Sequence, residues 1–390
     1  MKAWQYQQSS THQRDERIDF IRGMVMIILI VVHIDIFSLY NFLAWERLGV
    51  VTGAEGFVLL SGVVLGMINR RRISQNGWKG ASIHLFDRSF QLYRVSLFVI
   101  ISIPIIHIIS YIDASALMSF TSSATQKVYW LYPSWDVGFQ KIFAKIVLLK
   151  YGPHQFQVLG LYIILLLFAP FALWLLIHKR FKLLLAMSWV IYIANAGYNW
   201  RLTGAQFEYA FPVLSWQVLF FNGLVLGYYK EEVWEFFHTM KGKVFFGFIL
   251  MLFFAFLFFT YNNPMPQIPE WLRLSIIEPQ AFREYYTLFF KKNILGYGRV
   301  INDFVVLIVF YGFLSYFWMP IKKILGWIIL PIGQSSLYVF IWHIYFCILI
   351  ANIPLFHENN IWINTLGHTL VFLAIWGLVK KRILFNIVPR

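Results

Sequence analysis

The stretch Asp19-Phe20-Ile21-Arg22-Gly23-Met24-Val25-Met26-Ile27-Ile28-Leu29-Ile30-Val31-Val32-His33-Ile34-Asp35 decides the fold. Its middle is apolar and, with its flanks, long enough to cross a bilayer, yet it carries Arg22 and His33. At about 100° per residue, eleven steps bring His33 back to within ~20° of Arg22, roughly 16 Å further along one helix face. An ionisable residue inside a span costs at least ~2.5 kcal/mol on insertion scales. Such a pair is expected to face protein or water and to carry chemistry.

The composition agrees with a membrane chain. Of 390 residues, 59% are hydrophobic and 20% aromatic, and only 13% are charged. A soluble protein of this length has no way to hide that much apolar surface. The net charge of +15 does not imply nucleic acid, because no RNA- or DNA-binding motif accompanies it and the basic residues collect in short loops. The single cysteine, Cys347, excludes disulfides and a cysteine-based zinc site, and no His/Asp/Glu set has metal-ligand spacing. The polar opening is not expected to be a cleavable signal peptide, since the apolar run behind it is too long.

Ten hydrophobic spans are expected, at 19–39, 51–68, 88–112, 156–177, 183–199, 213–229, 244–261, 300–319, 335–353 and 362–379. An even number puts both termini on one side. Lys2, Arg14, Arg70, Arg71, Arg72, Lys179, Arg180, Lys322, Lys323, Lys380, Lys381, Arg382 and Arg390 then share that side, which the positive-inside rule makes cytoplasmic. The fold class expected is all-α: a polytopic helical bundle of about ten transmembrane helices, forming one domain over 1–390. Two longer outer loops, roughly 113–155 and 262–299, carry Trp130, Tyr132, Trp135 and Trp271, suited to interfacial anchoring or to a platform for an outer-face substrate.

Depth along each span suggests a site. His33 lies about four residues outward of the midpoint of span one, and Glu55 about four outward of that of span two. A tight hairpin brings both to one level, roughly 6 Å outside the bilayer centre. A carboxylate beside a histidine fixes its tautomer and stabilises the imidazolium, so Glu55 is the expected orienter of a His33 general base. Asp35 is the alternative acid, although two residues on it points ~160° away.

Near the inner face stand Arg22, Arg88 and Arg94, whose guanidinium forks suit phosphate. Anion binders below and a base past the middle fit a cytoplasmic acyl-CoA, with phosphates held at the bottom and the thioester raised to His33. The acceptor hydroxyl then enters from the outer side. Gly62 and Gly66 form a GxxxG face for close helix approach, with Ser61 beside them as packing or substrate lining. Gln155 and Gln157, Trp216 and Gln217, and His343 suit either substrate lining or helix–helix hydrogen bonds.

These residues resemble a known family. Arg17-Ile18-Asp19-Phe20-Ile21-Arg22-Gly23 followed by His33 is similar to the opening signature of the acyltransferase-3 type transmembrane acyltransferases. More narrowly, Ala54-Glu55-Gly56-Phe57-Val58-Leu59-Leu60-Ser61-Gly62 and Asp87-Arg88-Ser89-Phe90-Gln91-Leu92-Tyr93-Arg94 resemble the OpgC family. So do Ser215-Trp216-Gln217 with Asn222-Gly223, and Ile332-Gly333-Gln334-Ser335-Ser336 through His343. The likeness implies a bacterial inner-membrane enzyme that moves an acyl group from a cytoplasmic donor to an extracytoplasmic carbohydrate, as in succinylation of periplasmic glucans. It also implies that His33 is catalytic and that Arg88 and Arg94 assist the donor. Two departures are visible: the two arginines stand six residues apart, and the acid after His33 is Asp35 rather than its immediate neighbour.

The expected function is therefore a membrane O-acyltransferase using acetyl- or succinyl-CoA as donor substrate, with no bound cofactor or metal. Its partners are the lipid bilayer and a glycan acceptor, without nucleic acid, and the sequence admits a homodimer as well as a monomer. The rivals are a transporter or flippase for an anionic glycan or lipid, and a non-catalytic component of polysaccharide export. Against the first, Pro104 and Pro331 do not pair the two halves as inverted repeats do.

Overall fold

The computed structural model describes residues 14–109, 111–121, 127–358 and 360–389. Lys2 and Arg390, counted towards the inner charge, lie outside them. The first helix among the described residues is α1 (Glu16–His33), and a 56-residue helical run, Gly53–Ile108, follows. Gly77 breaks that run, with φ 67° and ψ 178°, into α2 (53–76) and α3 (78–108). A left-handed φ of this kind suits glycine, and it lets the chain double back. Then come α4 (Val158–Ile177), α5 (Phe181–Tyr198), α6 (Val213–Tyr228), α7 (Met240–Tyr261) and α8 (Tyr297–Tyr316). The chain ends with α9 (Trp318–Gln334), α10 (Ser336–Ala351) and α11 (Ile361–Lys380). The only sheet among the described residues is a short antiparallel pair, β1 (Ser119–Thr121) on β2 (Val128–Trp130).

Each of the ten expected stretches overlaps one of these helices. Among the described residues six helices are long and apolar enough to cross a membrane, or seven if α9 and α10, bent by 89°, form one broken span. That count takes α2 and α3 as one run. It omits α1, which carries Glu16, Arg17, Asp19 and Arg22 in its first two turns, and α6, only 16 residues long. The sequence pattern misses α9 because Pro320, Lys322 and Lys323 make its first half read as a loop. Span one is shorter than expected: α1 stops at His33, and Ile34 is already extended.

Glycines set how closely the bundle packs. A side chain at Gly62 would collide with the Phe220 carbonyl, and one at Gly66 with that of Leu224. Reciprocally, Gly223 lies against the Leu59 carbonyl and Gly227 against that of Val63. Two GxxxG faces thus interlock between α2 and α6, as small residues allow where lipid supplies no hydrophobic drive between helices. The same device joins α1 to α9, where Gly23 abuts the Ile329 carbonyl and Gly333 that of Asp19.

The start of α1 is fixed by a buried ionic knot. Asp15 accepts from Arg17 Nε and Nη2, each at 3.0 Å, from Tyr311 Oη at 2.9 Å and from Lys230 Nζ at 2.5 Å. Arg17 also donates to Ser315 Oγ at 2.7 Å, and its guanidinium lies over the rings of Tyr311 and Trp234. Burial pushes the Asp15 carboxyl up, but Arg17 and Lys230 outweigh it and hold the group at about 2. Its stabilisation is therefore complete above about pH 4 and is lost as pH falls towards 2. Asp15→Asn, which leaves Arg17 buried without its charge partner, is expected to cost about 3–5 kcal/mol. The check is the thermal unfolding midpoint in detergent: the variant should fall below wild type at neutral pH, and the gap should close between about pH 4 and pH 2.

Candidate active site

Two helices that meet at the basic end of the bundle also meet at the other. Arg22 of α1 donates to Ser336 Oγ, at the start of α10, over 2.5 Å. Eleven residues later His33 ends α1, and its Nδ1 lies 2.8 Å from Nε2 of His343 on α10. The two rings are stacked, 5.0 Å between centroids and 25° between planes. His343 Nδ1 lies 2.5 Å from the Phe340 carbonyl oxygen, which can only accept. His343 therefore carries its proton on Nδ1, and its Nε2 accepts from His33 Nδ1–H. That leaves Nε2 of His33 with the free lone pair, the atom able to take a proton. His343 is fully buried and His33 half-buried.

Neither acid expected to orient His33 does so. Glu55 is fully buried in an ion pair with Arg299, with Nη1 2.8 Å and 3.0 Å from its two oxygens, and it accepts the Thr52 N–H at 2.5 Å. The reason is register. Gly53 lies against Ile28 and Leu29, and Gly56 against Val25. Glu55 is thus level with a point about two turns short of His33, not beside it. Asp35 is exposed beyond the helix end and makes no hydrogen bond or ion pair among the described residues. His343, expected to line the site or to make a helix–helix hydrogen bond, is the partner instead. His154 and Lys292, singled out by no motif, lie within electrostatic range of His33.

On the basic side of this pair lies a cavity of about 1160 Å³. Arg22, Arg88 and Arg94 all line it, as the sequence suggests, joined by Arg14, Arg71, Arg72, Lys380 and Arg382 against three carboxylates. Arg88 Nη1 donates to Gln91 at 2.7 Å, while Arg94 is exposed with its guanidinium over Phe90. Ser335 and Ser336 also line the cavity, so the positive end of the α10 dipole adds to its appeal for anions. On the side towards the histidines stand Ser61, Tyr162 and Phe57, with Ser61 hydrogen-bonded to Tyr162. Phe57 stacks on Phe340 at 5.5 Å, and Phe340 lies 4.9 Å from the His343 ring. One aromatic layer separates the cavity from the histidines. Aromatic stripes at helical spacing read as core in a sequence, so Phe57, Tyr162 and Phe340 gave no signal.

Four of the expected lining residues belong elsewhere. Trp216 is buried edge-on to Phe211, and Gln217 exchanges hydrogen bonds of 2.7 Å with Ser188, joining α6 to α5. Gln155 is buried and donates weakly to the Ala116 carbonyl, and Gln157 lines a separate pocket of about 30 Å³. They tie helices and the outer loop together.

The Glu55–Arg299 pair serves the same end. Arg299 also donates to the Phe290 carbonyl at 2.5 Å, to Tyr286 Oη at 2.7 Å and to Glu46. Burial, with Glu46 beside it, pushes the Tyr286 phenol well above its ordinary range, so it stays a donor to that carboxylate. Glu55→Gln is expected to lower the thermal unfolding midpoint, by about 3–5 kcal/mol of stability, because it leaves a buried arginine short of charge. Protein that remains folded should retain its turnover, which separates this role from that of an acid orienting His33.

Comparison with curated proteins and with solved structures gives no match. A family profile described as OpgC protein matches residues 14–384, a stretch that includes both histidines and nearly all of the cavity wall. The chain belongs to the OpgC family.

Proposed function

We propose that this protein is a membrane O-acyltransferase of the bacterial inner membrane. It moves an acyl group, acetyl or succinyl, from a cytoplasmic acyl-CoA to a hydroxyl of an extracytoplasmic glycan such as a periplasmic glucan. The observation that carries this reading is the His33–His343 pair, with an unprotonated Nε2 on His33, standing above a cavity walled by arginines. With α1 and α6 counted and α2 and α3 taken separately, the chain crosses ten times and both termini are cytoplasmic. The basic cavity then opens to the cytoplasm, and the histidine pair faces the outer side.

In this mechanism Arg22, Arg88 and Arg94 hold the donor phosphates, and the pantetheine arm passes the Phe57–Phe340 layer to present the thioester. The acceptor oxygen attacks the thioester carbon as its proton moves to His33 Nε2. The imidazolium so formed keeps its Nδ1–H on His343, whose own Nδ1–H is anchored to the Phe340 carbonyl. Collapse of the tetrahedral intermediate breaks the carbon–sulfur bond, and the departing thiolate takes the proton back from Nε2. Ester and free thiol leave, and the base is restored. A positioned base is worth typically ~10²–10⁴-fold, and holding both substrates supplies much of the rest.

The test uses inside-out membrane vesicles, with labelled acetyl- or succinyl-CoA outside and the label followed into lumenal carbohydrate. His33→Ala is expected to lower transfer about 10²–10⁴-fold at unchanged protein level. His343→Phe should lose about ten-fold or more, because the tautomer of His33 is no longer fixed. His343→Gln, whose amide oxygen can accept from Nδ1–H, should recover part of that loss. Transfer that survives His33→Ala would overturn the mechanism.

A further inference from the structure

The cavity wall includes a segment that the mechanism above leaves unused. Beyond α11 the chain turns back on itself. Ile383 N–H donates to the Leu378 carbonyl at 3.0 Å, and Arg382 and Leu384 both adopt left-handed backbone, with φ of 54° and 56°. The first of these is an ordinary left-handed helix ending, with the Arg382 N–H bonded to the Val379 carbonyl as well. The turn then packs against Tyr338, in the first turn of α10. Its hydroxyl donates to the Ile383 carbonyl at 2.7 Å, and its ring meets that of Phe385 edge-on at 4.8 Å. The turn is thus pinned to the helix whose N-terminus lines the cavity, and it brings Lys380, Arg382 and Phe385 into the cavity wall.

A ligand whose sulfur end must reach His33 has to leave its other end towards the mouth. For an acyl-CoA that end is an adenine nucleotide with an additional phosphate on its ribose. It asks for a flat apolar surface next to cations. Of the lining residues with a phenyl or phenol ring, Phe57 and Tyr162 stand on the side towards the histidines, and Phe385 stands with Lys380 and Arg382. We propose that the segment 380–385 reads the nucleotide end of the donor, Phe385 stacking on the adenine and Arg382 with Lys380 pairing with the ribose phosphate. Stacking of a base on an aromatic side chain is sequence-tolerant and strong enough to matter, and the guanidinium fork supplies the phosphate contact. This inference rests on the acyl-CoA reading of the cavity and adds the residues that select a nucleotide-bearing donor over a bare thioester.

The experiment compares the KM for acyl-CoA with that for the matching acyl-pantetheine, which has the thioester but no nucleotide. Alongside, binding of adenosine 3′,5′-bisphosphate to purified protein is measured at equilibrium. Phe385→Leu keeps the apolar contact with Tyr338 but removes the ring. It is expected to raise the KM for acyl-CoA and the dissociation constant of the bisphosphate about ten-fold, with acyl-pantetheine moving less than about two-fold. Phe385→Trp should restore both. Arg382→Gln, which leaves the Tyr338 contacts in place, should weaken the bisphosphate and spare acyl-pantetheine in the same way. Equal weakening of both donors, or of neither, would overturn the inference while leaving the acyltransferase intact. If the wild-type protein binds no bisphosphate and transfers from neither donor, the acyl-CoA reading fails and this one with it.

Discussion

A hydrogen bond between two imidazoles, His33 on α1 and His343 on α10, is the contact on which the rest of the site depends. The two helices also touch at the basic end, through Arg22 and Ser336. One pair of elements therefore carries both a candidate anion contact and a candidate base. Their spacing is fixed by helical rise rather than by loops. In a bilayer interior a free donor or acceptor finds no water, so a chain of bonds from the Phe340 carbonyl through His343 to His33 holds one tautomer with little competition. A carboxylate orienter would have placed another charge at this depth. A neutral imidazole backed by a carbonyl does not.

Two buried ionic clusters tie together the helices that carry the site, and the first of them reaches the cavity wall through Asp15. The Asp15 knot fixes where α1 begins, and the Glu55–Arg299 pair fixes α2 and α8 beneath the outer loops. Between them the interlocked glycines hold α2, which supplies part of the cavity wall, against α6. Buried ion pairs tolerate little displacement, because separating them strands a charge, and so they make rigid anchors. Of the cavity arginines, Arg22 bonds Ser336 and pairs with Asp19, Arg88 bonds Gln91 and Arg94 rests on Phe90, and all three line the space a ligand would enter.

Much of this was legible in the sequence. The apolar runs located ten helices, and the eleven-residue spacing of Arg22 and His33 singled out α1. The Gly62–Gly66 face announced close packing, and the three arginines marked the cavity. What failed was register. Depth counted from span ends assumed a tight hairpin, whereas nineteen residues between α1 and α2, including the short helix Asn41–Ala44, carry the chain outward before α2 starts level with Leu29. That shift exchanged Glu55 for His343 beside His33. Helix α9 was hidden by Pro320 and its lysines. Tyr162, Phe340 and Phe385 were invisible for a different reason, because an aromatic residue looks the same in a sequence whether it packs a core or walls a cavity.

The central claim is that His33 offers its Nε2 as a base because its Nδ1 proton is committed to His343. Nitrogen-15 NMR of histidine-labelled protein in nanodiscs tests this directly, with His33→Gln and His343→Gln used to assign the signals. Both imidazoles are expected to be neutral and protonated on Nδ1, with a through-bond coupling between His33 Nδ1 and His343 Nε2. A His33 protonated on Nε2, or two uncoupled rings, would contradict it.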